Sequence, residues 1–235
     1  MQYVEFFGFG GSGKSTLQRR LVKNDGYAGP ETVYNIGRWS TPGASIASIL
    51  PRTINTTIGG EIWRNHLKYK MFADFVDHYT DFVVKSMSYI ADQYDSREKA
   101  QQKQGFMREV MMRYEAGRKM IHPTEYFCLD GGFYHKTAVT EKARQTLPDE
   151  SYFESMPQPD IIVHVDPEPD LLHRRRRQRD KPDDDLSIAQ LEEIRSRRAR
   201  LMETARDRGT TVIRVANEGT PESAVDTIHS EIHSA

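Results

Sequence analysis

The run Gly8-Phe9-Gly10-Gly11-Ser12-Gly13-Lys14-Ser15-Thr16 is the most informative segment of this sequence. It matches the pattern G-x-x-x-x-G-K-[ST], in which glycines let the backbone curl until successive N–H groups point inward. The helix expected after it presents its positive end to the same hollow, so the segment is suited to binding phosphate groups. Lys14 is then expected to neutralise the β- and γ-phosphates, while the Ser15 hydroxyl binds Mg²⁺.

The flanks of this loop predict a strand before it and a helix after it. Residues 3–7 form an apolar run, and residues 14–22 place Leu17, Leu21 and Val22 on one side of a helix. Four more apolar runs, at residues 32–36, 125–129, 160–165 and 211–215, alternate with helical patterns. This alternation predicts an α/β fold, with a five-stranded parallel sheet flanked by helices in three layers.

A long helical segment is expected between the second and third strands. Apolar residues recur there at three- to five-residue steps: Leu67, Met71, Phe75, Tyr79, Phe82, Met87, Ile90 and Tyr94. A second helical pattern places Phe106, Val110, Tyr114 and Met120 on one side. Core packing explains such stripes most simply, and a homodimer face or the wall of a substrate pocket are the alternatives.

Two helices are predicted near the C-terminus. Residues 186–208 form a charged helical pattern, whose expected buried side consists of Leu191, Ile194, Ala199, Leu201 and Met202. A final helix is expected to begin at Pro221, because threonine can cap a helix and proline suits its first position.

The third predicted strand ends in the sequence Leu129-Asp130-Gly131-Gly132. Ligands of open parallel sheets bind beyond the carboxyl ends of the strands, so Asp130 is expected next to the phosphate-binding loop. There it could hold Mg²⁺ or accept a proton from a substrate hydroxyl. The alternative is that Asp130 caps the following helix.

An arginine-rich segment follows the fourth strand, with arginines at 174, 175, 176, 177 and 179. In a helix four consecutive arginines cannot share one face, so the workable pairs are Arg174 with Arg177 and Arg175 with Arg179. Arginines on a mobile flap can stabilise the oxygens of a migrating phosphoryl group. The alternatives are a solvated face paired with Asp183–Asp185, or a contact with a nucleic-acid backbone.

The composition narrows the function classes. Of 235 residues, 33 are Lys or Arg and 34 are Asp or Glu, a balance that argues against a general nucleic-acid coat. The single cysteine, Cys128, excludes an internal disulfide framework and a cysteine-based zinc cluster, so the reducing cytoplasm is the expected location. We find no signal-peptide pattern and no apolar segment of about 18 residues, so no membrane association is expected.

Taken together, these segments resemble the nucleoside and nucleotide kinases of the P-loop superfamily, most closely the thymidylate-kinase-like branch. The resemblance rests on residues 8–16, on the strand that ends at Asp130, and on the segment 159–166 that leads into the arginine run. It implies a single domain over 1–235, with a helical insertion at about 37–122 and an arginine-rich lid at about 167–185. It also implies ATP and Mg²⁺ as cofactors, with Lys14, Asp130, Arg174 and Arg177 as catalytic residues.

The sequence departs from this family at one informative position. Relatives that phosphorylate thymidylate carry an arginine immediately after the strand-end aspartate, whereas this sequence has Gly131. The acceptor is therefore expected to meet residues of the insertion and of the third strand's end. The candidates are Arg38, Trp39, Arg52, Arg64 and Tyr134.

The first hypothesis is thus a kinase that passes the γ-phosphoryl group of ATP to a small nucleoside-, nucleotide- or metabolite-like acceptor. A second is a nucleotide-hydrolysing switch without an acceptor, although the guanine-reading Asn-Lys-x-Asp pattern is absent. A third is a kinase that acts on a hydroxyl of a nucleic acid through the arginine run. Whether Asp130 or Asp166 lies nearer the metal is left open by the sequence.

Overall fold

The computed structural model describes residues 1–39, 67–138, 147–178 and 186–234, with side chains omitted for 35–39. Arg52, Arg64, Arg179 and Asp183–Asp185 lie outside the described residues, as do the side chains of Arg38 and Trp39.

Within these residues the strands form a parallel five-stranded sheet. The strands are β1 (Gln2–Gly8), β2 (Tyr27–Ala28), β3 (Tyr126–Asp130), β4 (Ile161–Val165) and β5 (Thr211–Val215), in the order β2-β3-β1-β4-β5. Strand β1 pairs with β4 so that Gly8 lies opposite Val165, and β4 pairs with β5. The predicted α/β class, a parallel sheet flanked by helices, is confirmed.

The described helices follow the predicted alternation with the strands. They are α1 (Lys14–Leu21), α2 (Pro30–Trp39), α3 (Lys68–Gln93), α4 (Arg97–Met120), α5 (Phe133–Ala138), α6 (Glu150–Ser155), α7 (Pro169–Arg177), α8 (Ile188–Asp207) and α9 (Pro221–Ser234). Among them, none combines the length and the apolar character that a membrane crossing requires.

The prediction of a second strand over residues 32–36 is wrong. These residues lie in helix α2, and β2 is the short segment just before it. Pro30 suits the start of a helix, and the Gly29 N–H donates to the Thr32 hydroxyl at 3.1 Å. Val33 and Ile36 are spaced by three residues, which fits one side of a helix as well as the apolar run fits a strand.

The described residues divide into two compact units. Those of Ala28–Phe127 and Pro148–Met156, together with Met1, form a mainly helical unit. Those of Gln2–Tyr27, Cys128–Leu147 and Pro157–Ala235 form the second unit, which carries the phosphate-binding loop.

In the helical unit, α3 and α4 bury much of the predicted apolar stripe. Met71, Phe75, Phe82 and Ile90 of α3 are buried, as are Val110 and Tyr114 of α4. The predicted inward position of Phe106 is wrong, because its side chain is 46% exposed. The buried side of α4 runs instead through Met107 and Met111, and Phe106 lies one residue, about 100°, away from Met107.

In the second unit, α8 buries an arginine where an alanine was expected. Leu191, Ile194, Leu201 and Met202 are buried as predicted, but Ala199 is exposed and Arg198 is buried. The Arg198 guanidinium carbon lies 3.8 Å from the centre of the Phe9 ring. Stacking on an aromatic face compensates part of the cost of burying this charge.

Glu5, in the middle of β1, is a fully buried carboxylate that holds the start of α5. It accepts hydrogen bonds from the Tyr134 N–H at 3.2 Å, the His135 N–H at 2.6 Å and the Tyr3 hydroxyl at 3.1 Å. A Cβ atom on Gly132 would lie 2.0 Å from the Tyr3 hydroxyl oxygen, so glycine is required there. Burial raises the pKa of the Glu5 carboxyl to about 7, against the opposing effect of these hydrogen bonds.

The raised pKa of Glu5 predicts a pH dependence of stability. Between pH 4.5 and about 7 the folded protein holds a proton that the unfolded chain releases, so its free energy of unfolding falls as the pH rises. We expect wild type to lose about 3 kcal/mol across this window relative to Glu5→Gln, which carries no charge there. Denaturant unfolding of both proteins at pH 5 and pH 8 measures the difference.

The comparison with Glu5→Gln is needed because His164 titrates in the opposite sense. Burial lowers the pKa of His164 to about 4, so its contribution to stability is lost on acidification below its ordinary pKa of 6.5. Both proteins contain His164, and its effect cancels. A difference in unfolding free energy that stays constant from pH 5 to pH 8 would contradict the assigned role of Glu5.

Candidate active site

The predicted phosphate-binding loop connects β1 to α1. Gly8 ends the strand, Gly10 and Gly11 lie in the turn, and Lys14, Ser15 and Thr16 form the first turn of the helix. Gly11 has a φ of 91° and Gly13 a φ of 95°, a region that side chains with a Cβ rarely adopt. The spacing of the glycines therefore produces the curled backbone that the sequence predicts.

The loop is closed by its own main chain. The Ser12 N–H donates to the Phe9 carbonyl at 3.2 Å, and the Lys14 ammonium donates to the same carbonyl at 3.3 Å. Lys14 is thus folded back over the loop and not extended away from it. The Ser12 hydroxyl oxygen is buried and has no hydrogen-bond partner among the described residues, which leaves a donor available to a ligand oxygen.

Among the described residues, no side chain caps the positive end of helix α1. Gly13 is the N-cap and supplies no side-chain hydrogen bond, and the first turn contains no acidic residue. The first N–H groups of a helix have no partner within the helix, and they attract anions. The start of α1 can therefore receive a phosphate group.

Asp130 ends β3, the strand beside β1, as the sequence predicts. The Gly131 N–H donates to the Phe6 carbonyl at 3.1 Å, and Gln18 of α1 donates to the Cys128 carbonyl at 3.0 Å. These bonds tie the end of β3 to β1 and to α1. The buried Oδ1 of Asp130 has no hydrogen-bond partner within the described part of the chain, so the predicted alternative of a helix cap is not seen at this atom.

Asp166, the other strand-end carboxylate, is paired with two arginines, although its buried Oδ1 has no hydrogen-bond partner among the described residues. It lies after β4, is 4% exposed, and has Arg195 Nε at 3.0 Å and Arg214 Nη2 at 2.6 Å. Its charge is already balanced within the protein. The sequence could not distinguish Asp166 from Asp130, because Arg195 and Arg214 are 29 and 48 residues away along the chain.

The arginine run is helical, as predicted, and its members face different surroundings. Arg174 and Arg177 are exposed on α7, whereas Arg176 is buried. Arg175 donates through Nη2 to the Asn217 carbonyl at 3.0 Å. The sequence thus predicted the three-residue pair Arg174 and Arg177 on one side, and only the structure shows where Arg175 binds.

Asn217 is a site residue that the sequence did not reveal. It lies in the loop between β5 and α9, is 9% exposed, and donates from Nδ2 to the Ser12 carbonyl at 2.7 Å. It is the one non-glycine residue with a positive φ, 49°, in the described ranges. A polar residue in a loop after a strand is too common a pattern to single it out.

Of the predicted acceptor residues, only Tyr134 has a described side chain. It is fully buried, and its hydroxyl donates to Gln158 Oε1 at 2.9 Å. This placement gives Tyr134 a packing role, and its contact with an acceptor stays a prediction. Arg38 and Trp39 lie in α2, and Arg64 lies outside the described residues.

The fold and the loop together define the class of architecture: a parallel α/β sheet with a P-loop between its first strand and helix. No protein-family model matches this chain, and no curated protein matches it in sequence. A solved structure of deoxyadenosine kinase from M. mycoides with bound dCTP is similar over 100% of both chains, with a TM-score of 0.52 and 11% identity.

Two further structures of deoxyadenosine kinase from M. mycoides are also similar. One contains the products dCMP and dCDP (TM-score 0.47, 13% identity, 100% of both chains), and the other contains dATP (TM-score 0.49, 13% identity, 99% of this chain and 100% of that one). At these identities the likeness concerns the fold. The predicted α/β fold, with its five-stranded parallel sheet flanked by helices, is shared with the structure that contains dCTP.

The hydrogen bond from Gln18 to the Cys128 carbonyl predicts a stability effect. Gln18→Leu keeps the approximate size of this buried side chain but removes the amide that donates to the Cys128 carbonyl, so the free energy of unfolding should fall by about 0.5–1.5 kcal/mol. Arg19→Leu, at the exposed neighbouring position of α1, is the matched control and should stay within about 0.5 kcal/mol. Equal stability of the two variants, measured by denaturant unfolding, would contradict this role.

Proposed function

We propose that this protein is an ATP-dependent, Mg²⁺-requiring kinase that transfers the γ-phosphoryl group to a hydroxyl of a small nucleoside-like acceptor. The observation that carries the proposal is the closed glycine-rich loop at the uncapped start of α1. On the neighbouring strand lies an Asp130 oxygen that no described residue binds. The similar fold of a deoxyadenosine kinase supports the choice of acceptor class.

The loop residues bind and orient the triphosphate. The N–H groups at the start of α1 and the Ser12 hydroxyl donate to phosphate oxygens, and Lys14 moves its ammonium from the Phe9 carbonyl to the β- and γ-phosphates. Because the N–H groups and the Ser12 hydroxyl are already in place, binding requires only a change of the Lys14 side chain, and little reorganisation opposes it.

The residues present fit a Mg²⁺ ion. The Ser15 hydroxyl lies in the first turn of α1, and the Asp130 carboxylate offers an oxygen that no described residue occupies. When bound with ATP, the ion neutralises phosphate charge. Asp130 suits this role better than Asp166, whose carboxylate is already paired with two arginines.

Gly131 favours an acceptor that carries a hydroxyl and no phosphate at this place. Its φ is 73°, and a Cβ atom there would lie 2.8 Å from the His135 ring, so the backbone leaves no space for an arginine. An acceptor phosphate would lack the arginine that thymidylate-phosphorylating relatives place there. Asp130 can instead accept the proton of an acceptor hydroxyl.

Arg174 and Arg177 are proposed as the lid residues that stabilise the migrating group. Both are exposed on α7, so they can turn toward a ligand without breaking a buried contact. The single domain with its insertion at 37–122 and lid at 167–185 also stays a proposal. A cytoplasmic location, which suits a chain whose single cysteine is buried, stays a proposal as well. So does a homodimer face on the insertion, where Tyr69 and Val84 of α3 are exposed.

Replacement of Lys14 tests the proposal directly. Lys14→Ala should lower γ-phosphate transfer from labelled ATP at least about 100-fold, because the loop loses the charge that meets the β- and γ-phosphates. A panel of nucleosides, nucleotides and sugars serves as acceptors, and Lys23→Ala, an exposed lysine after α1, is the control. Circular dichroism verifies the fold of both variants.

Each outcome of the acceptor panel points to one function. Turnover by Lys14→Ala at the wild-type rate would refute the kinase assignment. Rapid ATP hydrolysis that needs a protein partner and no acceptor would favour a nucleotide-dependent switch. Phosphorylation of DNA or RNA that falls steeply with added salt would instead favour a nucleic-acid kinase.

The two strand-end aspartates should respond differently to substitution. Asp130→Asn should lower turnover about 100-fold and raise the Mg²⁺ concentration needed for activity, with little change in melting temperature. Asp166→Asn should lower the melting temperature, because Arg195 and Arg214 lose the charge of the buried carboxylate that they share. The opposite pattern, measured by activity assays and thermal unfolding, would assign the metal to Asp166.

A further inference from the structure

The loop after β5 contains a residue whose backbone and side chain make two separate connections. Asn217 adopts a φ of 49°, which asparagine tolerates better than most residues. Its amide Nδ2 lies 2.7 Å from the Ser12 carbonyl oxygen, and its own carbonyl accepts from Arg175 at 3.0 Å. One residue thus contacts the phosphate-binding loop through its side chain and the arginine-rich helix through its main chain.

The side-chain contact determines which way one peptide group of the loop faces. In a trans peptide unit the C=O and the following N–H point in opposite directions. By holding the Ser12 carbonyl, Asn217 turns the Gly13 N–H to the opposite side of that peptide. Gly13 is the N-cap of α1, so this N–H lies among the unpaired N–H groups at the start of the helix.

The side chain of Asn217 packs closely against the backbone of Gly13. A Cβ atom on Gly13 would lie 2.3 Å from Asn217 Nδ2, well inside contact distance. Glycine at position 13 is therefore required by its φ of 95° and also by the amide that approaches it. The backbone geometry of the motif and the asparagine in a distant loop depend on each other through this one contact.

We infer that Asn217 is a positioning residue for nucleotide binding: its amide orients the Ser12–Gly13 peptide so that the Gly13 N–H is presented to a phosphate. The inference rests on the proposed function for its ligand, a nucleoside triphosphate. Through Asn217, the affinity for the phosphate chain also depends on the loop after β5. The contact with Arg175 gives that loop a second connection, to the helix that carries the proposed lid residues.

The chemistry of the side chain matters more than its presence. Asn217→Gly keeps the positive φ but removes the amide, so the Ser12–Gly13 peptide is no longer held. Asn217→Asp keeps the shape and the φ but places a carboxylate oxygen against the Ser12 carbonyl, which favours rotation of the peptide. Asn217→Asp should therefore weaken phosphate binding more than Asn217→Gly, although aspartate is closer to asparagine in shape than glycine is.

The test is calorimetric binding of Mg-ATP and of inorganic tripolyphosphate to the full chain. We expect Asn217→Gly to weaken both ligands about tenfold and Asn217→Asp to weaken both about 100-fold. Glu218→Gln is the matched control, because Glu218 lies in the same loop but accepts from Glu168 N–H and does not contact the phosphate-binding loop. The control should bind both ligands as wild type does.

Two readouts separate positioning from a merely structural role. The melting temperatures of Asn217→Gly and Asn217→Asp without ligand should stay within a few degrees of wild type, while the stabilisation by tripolyphosphate shrinks. The Gly13 amide resonance should shift on tripolyphosphate addition in wild type and shift less in both variants. If one variant fails to fold, the other carries the test through the same two measurements.

The outcomes also distinguish this inference from the proposed function. Wild-type affinity for tripolyphosphate in both variants overturns the role of Asn217 and leaves the kinase proposal standing. Weakened ATP binding with unchanged tripolyphosphate binding also overturns it, because the effect would then lie at the base. Weakened binding of both ligands, in a protein that phosphorylates no acceptor, supports the inference and refutes the kinase proposal.

Discussion

The uncapped start of helix α1 is the constraint on which the described site depends. Helices α4, α6 and α8 have Ser96, Asp149 and Ser187 as their N-cap residues, and these side chains accept hydrogen bonds from N–H groups of the first turn. Helix α1 has Gly13 at that position and no acid in its first turn. Its N–H groups therefore keep their attraction for an anion, at a cost in stability of roughly a few tenths of a kcal/mol relative to a helix with a Ser or Asp cap.

The rest of the second unit holds that helix start in place. Gln18 ties α1 to the end of β3, and Asn217 ties the loop before α1 to the segment after β5. Glu5 holds the turn after Asp130 through the N–H groups at the start of α5. These buried polar groups fix the loop and the strand-end carboxylate before any ligand arrives, which is the condition for electrostatic stabilisation in a site of this kind.

Several elements could be predicted from local patterns because their causes are local. The glycine spacing of residues 8–16 predicts a curled loop, since φ values near 90° at Gly11 and Gly13 are open mainly to glycine. The apolar runs that end at Asp130 and Val215 predict strands, since each run is short and bounded by polar residues or glycine. Residues 32–36 show the limit of this reasoning, because a short apolar run fits a helix as well as a strand.

The sequence by itself determined the phosphate-binding loop, the α/β class and the identity of the strand-end carboxylates, because each follows from neighbouring residues. Only the tertiary structure decided that Asp166 lies against two arginines, and that the buried Oδ1 of Asp130 has no hydrogen-bond partner among the described residues. It also decided that Asn217 contacts Ser12, 205 residues away, and that Arg198 is buried against Phe9. Charge pairing and burial depend on which distant segments come into contact in the fold. The hydrophobic periodicity along the chain does not predict those contacts.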